Sequence, residues 1–361
     1  MTLGVSDMRR RGLTKLHMTL ILAVVVIAAV GASFLAIRSA QVAPTGAFAV
    51  TDMAGRTVQI PATVNRVVVL NSYWTEIACI LGASDKIVGI DKYSTASYYI
   101  PSTVKNLTVV GDLFRGINVE TLVALKPDLV ITDYGYGKTG EIIRSLESLN
   151  ISVVTLVSNN FDDQVAAIRI LGKVLNAEKS AGDLATFLES RHSGLLSTAA
   201  TIPASDKPNV LVCKLDVWKE GLIYTYANST YGTLVEDLGG INVALRDYPD
   251  QSWPKVNLEK LLAWNPDIII VLGYENATLA SQLSSISNSS WNHLKAVKDG
   301  KLFPLKIGSK EAGAYLDWGP RMIIGEMQLA KMIQPTYYSD LNVNVVVDQL
   351  FNQFYGGLSA R

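Results

Sequence analysis

Histidine and cysteine are scarce in this 361-residue chain, so its chemistry rests on carboxylates, aromatics and one glycine-rich turn. Only three histidines occur, His17, His192 and His293, and no His/Asp/Glu cluster has the spacing of a metal site. Gly135-Tyr-Gly-Lys-Thr139 follows an expected strand and precedes an expected helix, as a phosphate-binding loop would. The full pattern, however, needs a glycine where Thr132 stands. A Gly-x-Ser-x-Gly nucleophile elbow is absent, and no Ser/His/Asp set suggests itself. Nucleotide binding and hydrolysis are therefore disfavoured. The chain is expected to be no enzyme and to carry no cofactor.

Binding chemistry is better represented. Ligands of open α/β sheets sit beyond the carboxyl ends of the strands, so the residues that follow each expected strand are the ones to read. In the first half these are Tyr73, Trp74, Tyr93, Phe114, Arg115, Tyr134 and Tyr136; in the second, Tyr224, Trp253, Tyr274 and Tyr315, with Trp218, Tyr226, Tyr231 and Trp318 nearby. Aromatics on loops offer large rigid faces with a polar tip, suited to a flat or greasy ligand. Ordinary half-buried packing is the alternative for each one. Lys92, Arg115 and Arg321 could meet an anionic ligand or serve as surface or structural cations.

Two carboxylates recur in matched surroundings. Residues 117–132 and 256–271, 139 positions apart, are identical at seven of sixteen positions, and most of the rest exchange one aliphatic residue for another. That spacing is too long for a solenoid period and points to two copies of one α/β unit, hence two lobes with a cleft between them. In each copy an asparagine (Asn118, Asn257) caps a short helix, and a glutamate (Glu120, Glu259) occupies its first turn. A proline (Pro127, Pro266) then stops the helix before a strand of continuous apolar residues. Helix-end stabilisation alone would account for both glutamates.

The elements around these residues alternate. Strands are expected at 67–70, 87–90, 108–110, 129–132 and 152–156, with helices at 73–81 and 139–149 between them. This is the pattern of a mostly parallel sheet covered by helices. The stretch 162–200 reads as helical with a break at Asn176, and its second half is long enough to join two lobes as a stiff rod. The alternation then resumes, with a strand at 210–214, a helix at 232–238, the second repeat and a strand at 301–304. Helices at 314–332 and 343–355 close the chain.

Residues 18–37 form a run of 20 without charge, preceded by Arg9, Arg10, Arg11 and Lys15. That is enough to cross a hydrocarbon core with the N-terminus inside. The expected organisation is a cytoplasmic basic segment (1–17), a transmembrane anchor or signal (18–37), a tether (38–47), an N-terminal α/β lobe (48–176), a linking helix (177–202) and a C-terminal α/β lobe (203–361). It predicts a location at the cell membrane, with a single N-terminal anchor and the rest extracytoplasmic. Five basic residues and one acidic residue precede position 48, leaving 27 basic against 31 acidic beyond it, which gives no case for nucleic acid. Cys79 and Cys213 fall in different lobes and read as buried small hydrophobes. Five Asn-x-Ser/Thr sequons, a mild excess over chance, begin at Asn106, Asn150, Asn228, Asn276 and Asn288.

Taken together, several stretches resemble the class III substrate-binding proteins of ATP-driven (ABC) importers. They are Val50-Thr-Asp-Met-Ala-Gly-Arg-Thr-Val-Gln-Ile-Pro61, Arg66-Val-Val-Val-Leu70, Glu76 with Leu81-Gly82, Ile87-Val-Gly-Ile90, Asn118-Val-Glu120 with Pro127-Asp-Leu-Val-Ile131, Trp253-Pro-Lys-Val-Asn-Leu-Glu259, and Gly319-Pro-Arg321. The resemblance spans roughly residues 48–356. It implies two Rossmann-like lobes with mostly parallel sheets joined by one long α-helix, here preceded by the transmembrane helix. It implies capture of a metal chelate (ferric siderophore, cobalamin or haem-like) between the lobes and delivery to an ABC permease with its ATPase subunits. Glu120 and Glu259 fall where such proteins dock on permease arginines, and Tyr93, Phe114 and Trp253 where cobalamin binders place cleft aromatics. The transported ligand would hold chelated iron or cobalt. A membrane-tethered sensor or adhesin that uses the same fold without transport is the alternative.

Overall fold

Short β-branched runs build two sheets, and in the central strands successive side chains point to opposite, equally buried faces. The computed structural model describes residues 46–135, 137–214, 223–287, 290–356 and 358. A hairpin of β1 (Phe48–Thr51) and β2 (Thr57–Ile60) leads into β3 (Val67–Val69), α1 (Ser72–Ile80), β4 (Ile87–Ile90), α2 (Ser102–Lys105) and β5 (Thr108–Val109). A small hairpin, β6 (Gly111–Asp112) and β7 (Gly116–Ile117), precedes α3 (Val119–Ala124), β8 (Leu129–Asp133), α4 (Thr139–Glu147) and β9 (Val153–Leu156). Two long helices follow, α5 (Phe161–Leu175) and α6 (Glu178–Ala199). Asn176 between them adopts a left-handed conformation that ends α5.

The second lobe comprises β10 (Asn209–Lys214), β11 (Ile223–Thr225), α7 (Thr230–Asp237), β12 (Ile241–Asn242), α8 (Val243–Asp247), β13 (Lys255–Val256) and α9 (Leu258–Trp264). It continues through β14 (Ile268–Gly273), α10 (Asn276–Ser287), α11 (Lys295–Lys298), β15 (Leu302–Lys306), α12 (Met322–Ile333) and α13 (Val343–Phe354).

The first sheet runs β5-β4-β3-β8-β9, all parallel. The second runs β13-β11-β10-β14-β15 with β12 beside β10. In it β10, β12, β14 and β15 are parallel, while β11 runs against both β10 and β13. Strand order reverses between β3 and β8 in one lobe and between β10 and β14 in the other. Each lobe thus has a switch point at the carboxyl ends of its central strands.

The repeated segments serve the same structural purpose in each lobe. Asn118 Oδ1 accepts from Thr121 N–H (2.9 Å) and Asn257 Oδ1 from Lys260 N–H (2.9 Å), closing the two short helices. The aspartate after each proline ties its strand to the lobe's first central strand. Asp128 accepts from the backbone N–H of Asn65 and Arg66, and Asp267 from that of Asn209, all at 2.9 Å.

A single hydrophobic cluster runs through both lobes. It takes Val67, Val69 and Ile131 from one sheet, Ile168, Leu184 and Leu188 from α5 and α6, Ile324 and Leu350 from α12 and α13, and Ile268 and Ile270 from the other sheet. The outer faces have their own clusters, Val68 and Val130 under Leu122 and Ile142 in one lobe and Ile269 and Val271 under Leu261 and Trp291 in the other. At about 1.5–3 kcal/mol per buried aliphatic side chain, this shared middle layer is a major source of stability. The lobes are joined by long helices in the plural, rather than by one rod.

Two expectations need correction. The transmembrane helix expected over 18–37 lies outside the described residues, and no helix among the described residues is long and apolar enough to cross a membrane. The longest, α6, has 22 residues but carries Glu178, Lys179, Asp183, Glu189 and Arg191, each of which would cost about 3 kcal/mol at the centre of a bilayer. The fold is accordingly two α/β lobes joined by long helices, and the anchored location and the membrane as a partner are withdrawn with the spanning helix. The helix expected over 314–332 begins only at Met322. Gly319 has φ +113° and Pro320 follows it, so 314–321 is an irregular strand of chain laid along the seam between the lobes.

Candidate functional site

The N-terminal mouth is organised by two buried aspartates past the carboxyl ends of β4 and β5, Asp91 and Asp112, and by the half-buried Asp133 at the carboxyl end of β8. Asp91 accepts from the N–H groups of Tyr93 (2.8 Å) and Ser94 (3.2 Å), and Asp112 from those of Phe114 (2.9 Å) and Arg115 (2.8 Å). These turns hold Tyr93 and Phe114 half in solvent, ring edge to ring face at 6.3 Å. Across the switch point, Asn71 Nδ2 and Trp74 Nε1 both donate to Asp133, at 2.5 and 2.6 Å. Burial pushes the Asp133 carboxyl up to about 6 despite these donors. Burial likewise raises the Asp91 carboxyl. Tyr134, next after β8, is exposed, and so are Lys92 and Arg115.

The C-terminal mouth uses other means. At its switch point Lys214 Nζ lies 4.5 Å from the centre of the Tyr274 ring, and Lys255 Nζ lies 4.6 Å from that of Tyr224. Gly308, at φ +89°, lets the chain pass Tyr274, because a Cβ there would sit 2.9 Å from the ring. Trp253 is 63% exposed on the loop into β13, at the edge of the sheet.

Between the mouths lies Asp317. Its Oδ1 accepts from the hydroxyls of Tyr73 (3.1 Å), from the first lobe, and Tyr231 (3.3 Å), from α7 in the second. Its Oδ2 is buried with no partner in the protein. Burial raises the carboxyl to about 6, while the Arg321 guanidinium, the Trp318 backbone N–H and the Tyr73 hydroxyl work in the opposite direction. Burial and the adjacent carboxylate hold both phenols protonated. A carboxylate oxygen kept from water without a partner is costly unless something else donates to it.

Below this floor the seam is locked. Arg321 and Glu76 are buried and paired through two hydrogen bonds, 2.7 and 3.1 Å. Arg321 also donates to the carbonyls of Gly308 and Ala314 and stacks on Tyr99 at 3.8 Å. Tyr355, just past α13, adds its hydroxyl to Glu76. Arg321 is thus a structural cation. Trp74 and Tyr315 are buried, the latter against Phe351 in the seam, and Tyr136 and Trp218 lie outside the described residues.

The glycine-rich turn does not cradle a ligand either. A Cβ at Gly137 would meet the Leu113 carbonyl at 2.4 Å, and Lys138 N–H donates to that carbonyl at 2.7 Å. Among the described residues no group of three or more His, Cys, Asp or Glu could hold a metal ion. A hollow of about 550 Å³ among Pro208, Ile268, Lys301, Phe303 and Met332 opens at the amino ends of β10, β14 and β15, the wrong end for a switch-point ligand. Cys79 and Cys213 are free thiols. Glu120 and Glu259 are exposed in the first turns of α3 and α9.

Sequence reasoning reached the aromatics past the strands, Tyr231 among them, but missed Asp133 and Asp317 as site residues. Asp133 could have been found, since it follows the strand of the first repeat directly. Asp317 could not, because its partners lie 244 and 86 residues away.

A family model described as periplasmic binding protein matches residues 67–307. The chain belongs to that family. Among its relatives is the molybdate-binding protein MolA of Haemophilus influenzae, 26% identical over 333 residues that cover 85% of this chain and 90% of MolA. An uncharacterized ABC transporter substrate-binding lipoprotein of Bacillus subtilis, YvrC, is 27% identical, with 82% and 89% covered. The crystal structure of a periplasmic solute binding protein from Veillonella parvula superposes with a TM-score of 0.71 at 25% identity, covering 86% of this chain and 93% of its own. This periplasmic binding protein is therefore an extracytoplasmic solute-binding protein of the class III type that serves ABC importers. Its relatives bind solutes and do not transform them, in agreement with the absence of any catalytic motif.

Proposed function

We propose that the protein captures a bulky metal chelate, a ferric siderophore, a cobalamin or a haem-like compound, and delivers it to an ABC permease and its ATPase subunits. The observation that carries this reading is the pairing of exposed aromatic rims with a buried acidic floor. Tyr93, Phe114, Tyr134 and Tyr274 stand about half in solvent past strand ends, whereas Asp317 lies beneath with an uncommitted oxygen. Exposed rings suit a flat or apolar ligand face. An ionised carboxylate suits a ligand that brings a hydrogen-bond donor, such as an amide or ammonium. Glu120 and Glu259, one on each lobe, are the groups proposed to dock on permease arginines.

Likeness to MolA favours a second reading, a small oxyanion such as molybdate. The floor argues against it, because Asp317 would repel an anion and Arg321 is already paired with Glu76. Native mass spectrometry and tryptophan fluorescence against cobalamin, haem, several ferric siderophores and molybdate decide between the two. Binding of one chelate, weakened by Phe114→Ala, is the expected outcome; binding of molybdate alone would overturn the chelate reading.

A further inference from the structure

Each proposed docking glutamate has a companion that packing within the protein does not explain. In α3, Glu120, Val123 and Ala124 are exposed, and in α9 so are Glu259, Leu262 and Ala263. The two sets occupy equivalent positions of the repeat. Spacings of three and four residues place each set on one helix face, whereas the buried side of each helix is made by Leu122 or by Leu261 and Trp264. Val123 is 40% and Leu262 38% exposed. An isolated exposed aliphatic needs no explanation. Two at matched positions, each one turn after a matched carboxylate, do.

The carboxylates are equally uncommitted. Among the described residues neither has an ion-pair partner. Lys260, beside Glu259, is engaged by Asp247 at 2.8 Å, and Arg66, against the end of α3, donates to the carbonyls of Leu125 and Lys126. Both helices begin on the mouth side of their lobes. Asn118 N–H donates to Val110, just past β5, and Val256 pairs with Ile223 beyond the last residue of β10.

We infer that each lobe presents a two-part docking knob, Glu120 with Val123 and Glu259 with Leu262, to an importer permease whose two halves each offer a basic residue beside an apolar socket. This rests on the docking reading above and adds the apolar half of it. The two parts act on different steps. The carboxylates attract the partner from a distance and set the association rate and its salt dependence. The aliphatics lose water only on contact and set the dissociation rate.

The test is binding kinetics of the full chain, without added ligand, on the cognate permease–ATPase complex in nanodiscs at low and high salt. Val123→Ser with Leu262→Ser should speed dissociation on the order of 10-fold and leave association and its salt dependence within about 2-fold. Glu120→Gln with Glu259→Gln should slow association on the order of 10-fold and flatten its salt dependence. Leu149→Ser, at another exposed aliphatic outside the repeat, should change neither rate. Unaltered dissociation in the serine pair alongside impaired association in the glutamine pair would overturn the apolar half and leave docking intact. If neither pair alters binding, both fall. Equal loss in Leu149→Ser would reduce the effect to general stickiness and overturn the inference.

Discussion

The two mouths meet at Asp317, which bonds a tyrosine of each lobe, but are held by different chemistry. On the N-terminal side, buried carboxylates grip backbone N–H groups and an indole, so the loops that carry Tyr93 and Phe114 are fixed before any ligand arrives. On the C-terminal side, lysines lie over tyrosine rings near solvent, contacts worth about 0.5–1 kcal/mol each. One wall is preformed by hydrogen bonds to carboxylates, and the other is lined by cation–ring contacts nearer solvent. The lesson is that a repeated α/β unit fixes where a mouth lies but not how stiff it is. Stiffness comes from the groups that fill the switch point.

The strongest perturbation should strike neither mouth but the seam beneath both. Arg321→Ala would leave Glu76 buried without its cation, and a loss of about 3–5 kcal/mol is expected in urea unfolding. Next, Asp133→Ala would orphan the Trp74 indole and the Asn71 amide, for an expected loss of about 2–3 kcal/mol. Lys214→Ala in the opposite mouth should cost less than about 1 kcal/mol. Equal losses in the two mouths would erase the difference between them.

Acidity sharpens the comparison further. The Asp133 and Asp317 carboxyls titrate at about 6 in the folded protein, above their ordinary 3.8. The folded chain therefore holds these protons more tightly than the unfolded one. Stability should rise as pH falls from about 6 towards 4 and be insensitive to these groups above about 6. Asp133→Asn should reduce that slope in thermal melts taken across the window. Asp317 should report on binding as well, since a ligand that donates to Oδ2 needs the ionised form. Affinity for such a ligand should drop below about pH 6, and Asp317→Asn should flatten the dependence. At the rim, Tyr93→Ala should weaken chelate binding on the order of 10-fold with no change in melting temperature.

What the sequence disclosed and what it withheld follow from the range of the interactions. Parallel strands buried on both faces must be continuously apolar, so Leu129 to Ile131 and Ile268 to Val271 were legible, as were the caps Asn118 and Asn257. The antiparallel pairing of β11 with β10 and β13 was not, because strands of two or three residues are too short to leave such a run. Loop aromatics could be named but not aimed: Tyr93 points outward, while Tyr315 and Trp74 pack inward. The chain through Asp317 to Arg321 was expected within a helix, and only the partners 244 and 245 residues away give its charges a purpose.

One feature of the seam bears on how the protein is made. The Tyr355 hydroxyl that completes the Glu76 site comes from 279 residues downstream, at the C-cap of α13. During synthesis the first lobe emerges with an acidic side chain that must wait for its arginine and its phenol until residues 321 and 355 have left the ribosome. A nascent chain halted before residue 321 can bury part of the apolar layer between its halves but lacks the cation that pairs with Glu76.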